Sequence, residues 1–242
     1  MYASTPESGQ DEMVHALPSA SIVERIDWLV ERCRGNRVVH IGFADAGFFE
    51  EQTRAGRWLH GHLADAAREI VGLDADEQGV YAARAAGFEA DVVDVTDPAA
   101  VAALGIEPAD VVVAGEVIEH LGAPGPFLDA MRPLLRPGGT LLVTTPNAYG
   151  LINVVGSITR RIEINHPDHV VMFTWRTLTE LLRRHGWVVD ETALYVPAVR
   201  ERGSRSRSDA LAAGAVARIE RLLGRIGRPY SADGLIVSAR PA

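Results

Sequence analysis

The sequence contains no lysine: all 24 basic residues among its 242 are arginine. Without a lysine amine, the chain cannot form the Schiff base of pyridoxal-phosphate enzymes, and it lacks the lysine with which P-loop NTPases hold phosphate. The single cysteine, Cys33, cannot form an internal disulfide, a redox pair or a cysteine zinc site. Catalysis must therefore use carboxylates, the eight histidines, hydroxyls, backbone groups or a bound cofactor.

Long apolar runs and a basic N-terminus are also absent. No apolar run approaches the roughly 20 residues that a membrane-spanning helix needs. The chain before Arg25 holds acidic residues but no arginine, which is the wrong charge for a secretory signal. We therefore predict a cytoplasmic protein without a membrane span, with a flexible polar arm over residues 1–18. The net charge of −8 disfavours a broad nucleic-acid surface.

Short apolar segments alternate with stretches of helical spacing along residues 19–242. A serine-capped helix is predicted to begin at Ile22. The predicted strands cover residues 37–41, 69–73, 90–93, 110–114, 140–145, 187–194 and 235–238. Strands that are apolar on both faces and alternate with helices are typical of a parallel, doubly wound α/β sheet. We predict one domain with a mostly parallel, seven-stranded Rossmann-like sheet, helices on both faces, and an arginine-rich insert at about 197–230 that forms a solvated helix face.

Small and acidic residues follow the first three strands, at the edge where such sheets bind ligands. Gly42, Ala44 and Gly47 follow the first strand, and small residues there let a ligand approach the backbone. The loop has two interpretations: a damaged dinucleotide fingerprint or a damaged S-adenosylmethionine loop. In either one, Asp74 is placed to accept two ribose hydroxyls, and Asp94 to accept an adenine amino group.

Two later motifs favour the second interpretation. Residues 110–121 read DVVVAGEVIEHL, and residues 135–147 read LRPGGTLLVTTPN. Here the chain resembles class I S-adenosylmethionine-dependent methyltransferases, in the branch of the ubiquinone-pathway O-methyltransferases, whose fourth strand ends in D/E-x-x-E-H and whose fifth follows L-x-P-G-G. The resemblance covers about residues 37–195 and implies S-adenosylmethionine as the cofactor. The implied cofactor contacts are Gly42, Ala44, Gly47, Asp74, Asp94 and Glu116.

The chain departs from this family at the first strand and its loop. The family usually has an acidic residue where this chain has His40, and glycine where it has Ala44 and Ala46. The first change affects the usual anchoring of the loop and of the methionine ammonium group. The second change, from glycine to alanine, narrows the loop only slightly, because a methyl group is the smallest side chain that can be added. These departures motivate a further hypothesis, a cofactor-binding regulatory protein without catalysis.

A metal site is predicted from the E-x-x-E-H motif. Glu116, Glu119 and His120 would share one side of a helix at their spacing of three and four residues, and this ligand set suits Mg²⁺, Mn²⁺ or Zn²⁺. The motif resembles that of small-RNA 2′-O-methyltransferases, where a histidine of a D-H-x-F-x-W segment completes a metal site. Residues 168–175 resemble that segment with two extra residues, which makes His169 the fourth ligand and His166 the second choice. Alternatively, the motif binds no metal, and these side chains pack against their neighbours or cap a helix.

We predict an S-adenosylmethionine-dependent O-methyltransferase of a small molecule, namely a sugar, a secondary metabolite or a phenol. Glu119, His120 and His169 are the predicted catalytic residues, with a divalent metal to lower the pKa of the acceptor hydroxyl. RNA ribose 2′-O-methylation is the second hypothesis, and the net charge of −8 argues against it. An NAD-dependent oxidoreductase ranks last, because that function does not explain the E-x-x-E-H motif after the fourth strand. A homo-oligomer is compatible with the sequence.

Overall fold

A single sheet runs through the domain. A computed structural model describes residues 14–44, 49–198 and 206–242. Within these residues the sheet has eight strands in the order β1-β7-β8-β6-β5-β2-β3-β4, and only β8 runs antiparallel to its neighbours. The strands are β1 (Ile22–Val23), β2 (Arg37–Ile41), β3 (Glu69–Asp74), β4 (Ala90–Val92), β5 (Ala109–Gly115), β6 (Leu135–Pro146), β7 (Trp187–Tyr195) and β8 (Gly234–Pro241).

The predicted mostly parallel α/β sheet is confirmed, but the count of seven strands was wrong. Ile22 and Val23, expected in the first turn of a helix, form β1 beside Leu194 and Tyr195. These β-branched residues favour an extended backbone, and the edge of β7 offers N–H and C=O groups that need partners. The helix begins three residues later than predicted, at Arg25.

Helices cover both faces of the sheet. They are α1 (Arg25–Cys33), α2 (Phe49–Arg54), α3 (Leu59–Ala66), α4 (Glu77–Ala85), α5 (Pro98–Ala103), α6 (Pro124–Met131), α7 (Leu151–Arg160), α8 (Trp175–Arg184) and α9 (Arg207–Arg225). Several start at side chains that accept backbone N–H groups, as Asp76, Asp97 and Thr174 do. The capping box at Thr174 pairs it with Thr177 and starts α8 directly after the loop that holds His166 and His169.

The core lies in two layers on either side of the strands. On one face, Phe127 of α6 and Leu178 of α8 pack with the β-strands. On the other face, Leu29 of α1 and Leu63 of α3 do the same. Each such side chain is fully buried, and burial of a residue of this size contributes roughly 1.5–3 kcal/mol. The two layers hold the carboxyl ends of the strands in fixed positions.

The predicted arginine-rich insert contains α9, which packs against α7 through Ala213, Val216 and Ile152. Its predicted arginines at positions 200, 202 and 205, like residues 1–13 of the predicted arm, lie outside the described residues. Residues 14–18 have no regular secondary structure. No described helix is long and apolar enough to cross a membrane.

The strand order reverses between β2 and β5, and the loops after these two strands adjoin. Gly42 follows β2 with a φ of +68°, and its N–H donates to the Leu73 carbonyl at 2.8 Å. A Cβ atom on Gly42 would overlap Cγ2 of Val117, which follows β5. A crevice at such a reversal is where doubly wound sheets bind ligands, so Gly42 stands at the edge of the expected site.

We expect Gly42→Ala to destabilise the fold more than Gly35→Ala. Both glycines have nearly the same positive φ, but a Cβ on Gly35 meets no atom within 4 Å. Gly35→Ala should therefore cost about 1–2 kcal/mol from backbone strain, and Gly42→Ala roughly 1–3 kcal/mol more from overlap with Val117. Urea unfolding of both variants measures the difference. Equal losses would show that Val117 does not constrain the loop.

Candidate active site

Asp74, at the end of β3, ties down the loop that follows β2. One carboxylate oxygen accepts the N–H of Ala44 at 2.9 Å, and the other accepts the N–H of Asp76 at 2.9 Å. Each oxygen keeps a further lone pair, so the carboxylate can still accept ribose hydroxyls. Gly47, the last predicted residue of this loop, lies outside the described residues.

Asp94 stands exposed just after β4. Its Oδ1 accepts the N–H of Thr96 at 2.9 Å and the Thr96 hydroxyl at 2.7 Å. These hydrogen bonds lower the pKa of Asp94 below its ordinary value, so the group is ionised at neutral pH. An ionised, exposed carboxylate at this position can accept an adenine amino group.

Two buried histidines support the loop from below. The Nδ1 atoms of His40 on β2 and His60 on α3 lie 3.2 Å apart, so one Nδ1–H donates a hydrogen bond and the other Nδ1 accepts it. Burial lowers the pKa of His40 well below its usual range and that of His60 to about 4, so the pair is neutral at pH 7. The His60 ring packs on Phe43 and Trp58, and the Trp58 indole donates to the Phe43 carbonyl at 2.7 Å. A neutral pair thus replaces the usual acidic residue beneath the loop.

Glu116 directly follows β5 in a left-handed conformation, with a φ of +56°. Its Oε1 accepts the Thr144 and Tyr195 hydroxyls, both at 2.7 Å, and lies 3.7 Å from an Arg25 guanidinium nitrogen. The predicted helix carrying all three motif residues on one side is therefore not formed, and a 3-10 helix covers only Ile118–His120. The left-handed residue turns the chain between Glu116 and the rest of the motif.

A cavity of about 620 Å³ opens beside Arg25 and Tyr195. Its lining also includes Asp27, Arg57 and Asp65, so charges of both signs face the space. Pockets of roughly 300–1,000 Å³ suit small ligands, and this lining suits one that carries both charges. Sequence reasoning missed Arg25 and Tyr195, because no local pattern marks them and they reach Glu116 only through the sheet order.

Glu119, the second acid of the E-x-x-E-H motif, is fully buried. Its Oε2 accepts the Thr145 hydroxyl at 3.0 Å, whereas Oε1 has no hydrogen-bond partner among the described residues. Burial, together with the nearby charge of Glu116, raises the pKa of Glu119 to about 9, so it is protonated at pH 7. Its Oε1 lies 3.9 Å from His169 Nε2. A cation that displaced the proton of this acid would supply the second interaction that Oε1 lacks.

Three imidazoles converge above Glu119. The nearest nitrogen atoms of His120, His166 and His169 all lie within 4.8 Å of one another. Burial lowers the pKa of His120 and of His169 below the ordinary imidazole value. His169 Nδ1 is 2.5 Å from the Asn165 side-chain oxygen, so this nitrogen donates and the Nε2 lone pair is directed elsewhere. The cluster brings together the predicted His120 and His169, and adds His166, the second choice.

Comparisons with known proteins place the chain in a family. The family model described as "Methyltransferase domain" matches residues 31–192. The chain belongs to the class I S-adenosylmethionine-dependent methyltransferases. The family implies methyl transfer as the activity and S-adenosylmethionine as the cofactor. The dinucleotide interpretation of the loop after β2, and with it the oxidoreductase hypothesis, is overturned.

Similar proteins carry related names. A probable S-adenosylmethionine-dependent methyltransferase of Mycolicibacterium smegmatis is 34% identical over 166 residues, covering 68% of this chain and 56% of the relative. A ubiquinone biosynthesis O-methyltransferase of Roseobacter denitrificans is 33% identical, covering 64% and 61%. The chain thus spans about three fifths of the length of these relatives. The crystal structure of an Archaeoglobus fulgidus S-adenosylmethionine-dependent methyltransferase aligns with a TM-score of 0.55 at 15% identity, over 89% and 90% of the two chains, which supports the fold.

We expect the buried histidine pair to make stability depend on pH. Because the pKa of His60 falls from 6.5 to about 4 on folding, the unfolded chain binds more protons between these values. The free energy of unfolding should therefore drop as the pH falls from 6.5 to about 4, by up to about 3 kcal/mol from His60. Urea unfolding at several pH values measures the drop.

The double variant His40→Leu/His60→Phe should show a flatter dependence over the same range, because it removes both titrating groups. His185→Ala, which removes a less buried histidine beside Asp129, is the matched control and should keep the wild-type slope. A double variant whose slope equals that of the wild type would contradict the assignment.

Proposed function

We propose that this methyltransferase transfers the methyl group of S-adenosylmethionine to a hydroxyl oxygen of a small molecule. The observation that carries the proposal is the cluster of His120, His166 and His169 above the buried Glu119. The names of the ubiquinone biosynthesis O-methyltransferase relatives support the choice of oxygen. A ribose hydroxyl of RNA offers the same chemical group, but the net charge of −8 favours a small molecule.

The imidazoles supply the base that the reaction needs. Bound S-adenosylmethionine provides an electrophilic methyl group on a sulfonium sulfur. A hydroxyl attacks poorly until it loses its proton, and a neutral imidazole can accept that proton as the oxygen–carbon bond forms and the sulfur–carbon bond breaks. The lowered pKa values keep His120 and His169 in the accepting form at pH 7. Glu119, protonated in the same range, does not compete for the proton.

The cofactor is assigned to the reversal of strand order. In this proposal Asp74 accepts the ribose hydroxyls and Asp94 the adenine amino group. Gly42 and Ala44 form the loop that borders the cofactor: Val117 fills the space beside Gly42 that a side chain would occupy, and Asp74 fixes the backbone of Ala44. Glu116 accepts the hydroxyl of Tyr195, and Tyr195 lines the charged cavity, whereas Gly42, Ala44, Asp74 and Asp94 do not line it. The methionine end of the cofactor carries both an ammonium and a carboxylate group, which this cavity suits.

We expect Asp74→Asn to weaken S-adenosylmethionine binding about tenfold or more, because a charged acceptor is replaced by a neutral one. Isothermal titration calorimetry measures the affinity. Asp190→Asn is the matched control: this exposed aspartate pairs with Arg240 on the far end of the sheet, and its replacement should leave the affinity unchanged.

The rate of methyl transfer to hydroxylated acceptors should decrease as the pH is lowered, with an apparent pKa below 6.5. Absence of cofactor binding at millimolar concentration would refute the proposal.

We propose, as an alternative to proton transfer to a free imidazole, that a divalent cation is held by His120, His166 and His169, with Glu119 losing its proton on metal binding to become an additional ligand. The imidazole lone pairs would then bind the cation, so the acceptor hydroxyl would lose its proton to solvent and not to these histidines. Three imidazoles favour Zn²⁺ over Mg²⁺. The Glu119 oxygen that lacks a partner lies on the His169 side, as a ligand would. His166 Nδ1 accepts only a 3.3 Å hydrogen bond from the Asp168 N–H, which a cation there would replace. Such a cation would lower the pKa of an acceptor hydroxyl.

Metal binding should raise the thermal midpoint of the wild type. At a Zn²⁺ concentration one hundred times the dissociation constant, the gain is about 2.7 kcal/mol, or roughly 5–10 °C for a chain of this size. His120→Ala and His169→Ala should lose the shift and the methyl transfer while keeping cofactor affinity. Glu119→Gln should lose part of the shift, yet unfold without metal as the wild type does, because the amide resembles the neutral acid.

His185→Ala is the matched control, since it removes a histidine away from the cluster, and it should keep the whole shift. The metal hypothesis fails if His169→Ala shifts as the wild type does, or if methyl transfer survives a chelator.

A further inference from the structure

Helix α9 exposes a row of large apolar side chains on the outside of the domain. Leu211 is 76% exposed, Ile219 48% and Leu222 58%, and Ile226, which directly follows the helix, is 65% exposed. Their spacing of eight, three and four residues places them on one side of the helix, with the exposed Ala215 between them. Single exposed apolar residues are ordinary, whereas a continuous row marks a surface that contacts something.

Arginines line one edge of this row. Arg218, Arg221 and Arg225 are exposed, and none of the ion pairs between described residues includes them. The acids of the helix do not balance them, because Asp209 pairs with Arg160 at 2.6 Å and Glu220 is fully buried. We call the four apolar residues and these three arginines the α9 face. Its exposed charge is positive, although the whole chain carries −8.

The opposite side of the same helix is committed to the domain. Ala213, Val216 and Ala217 are buried, and the first two pack against Ile152 of α7. The helix is therefore anchored along one side and presents the other outward. With 19 residues it extends for roughly 28 Å, long enough to lie along a flat surface.

We propose that the α9 face docks on the surface of a lipid bilayer that contains anionic phospholipids. An amphipathic helix of this kind lies in the plane of the membrane, with apolar side chains between the headgroups and acyl chains and arginines at the phosphates. Two copies of the chain joined through this face would bring arginines together, which disfavours a dimer. A nucleic acid would match the arginines but leave the apolar row in water. A bilayer with anionic headgroups satisfies both halves of the face.

Co-sedimentation of the 242-residue chain with vesicles tests the proposal. We expect partition onto vesicles of phosphatidylglycerol and phosphatidylcholine in equal parts, and little onto phosphatidylcholine alone. Because the attraction to headgroup charge is screened by salt, raising the NaCl concentration from 50 mM to 500 mM, on the order of a threefold shorter Debye length, should release most of the bound protein. The assay needs neither cofactor nor acceptor, so its result is independent of the proposed reaction.

The triple variant Arg218→Gln/Arg221→Gln/Arg225→Gln should weaken partition on the order of a hundredfold, at about fivefold for each arginine. The matched control is Arg176→Gln/Arg183→Gln/Arg184→Gln, which removes the same charge from exposed arginines of α8 and should bind as the wild type does. Ile219→Ser/Leu222→Ser keeps the charge and should also weaken partition. Circular dichroism and thermal midpoints, expected to be unchanged, confirm that each variant is folded.

Three outcomes would overturn the proposal. The first is a wild type that does not partition onto anionic vesicles. The second is equal weakening in the α8 control, which would show that overall charge and not the α9 face controls binding. The third is self-association in analytical ultracentrifugation that Ile219→Ser/Leu222→Ser abolishes without changing vesicle binding, which would make a second copy the occupant.

Discussion

The hydrogen-bonded carboxylate of Glu116 is the interaction on which the site depends. The residue adopts a left-handed conformation that costs roughly 1–2 kcal/mol for an L-amino acid, and charge-assisted bonds from Thr144 and Tyr195 offset that cost. They join the ends of β5, β6 and β7 at one group, with Arg25 of α1 beside it. Because the chain turns at this residue, Glu116 serves the cavity side while Glu119 and His120 serve the histidine side.

The site is built from groups whose charge depends on their surroundings. Burial keeps His40, His60, His120 and His169 neutral at pH 7, and it keeps Glu119 protonated. Arginine, which remains charged at every accessible pH, cannot take part in such tuning. In a chain without lysine, histidines and a buried acid are therefore the groups that can gain or lose a proton near neutrality. The neutral His40–His60 pair extends the same principle to the support of the cofactor loop.

Much of the fold follows from local patterns. All seven predicted strands are present, because runs such as 111–114 are apolar on both faces, which is typical of strands buried in the middle of a parallel sheet. The eighth, β1, could not be predicted: two β-branched residues before a helix read as its first turn, and only the distant edge of β7 makes them a strand. The E-x-x-E-H spacing was read as one helical face, which is correct only if all five residues are helical, and Glu116 is not.

The sequence by itself determined the class of fold, the methyltransferase family and the residue types that carry the chemistry, because strand burial and the two motifs are properties of contiguous segments. Tertiary structure alone decided which of those residues meet. Tyr195 reaches Glu116 across 79 positions, and His166 joins His120 and His169 only because the loop before α8 folds over the end of β5. It also decided that Glu119 is neutral, since a pKa depends on burial and on neighbours that come from other strands.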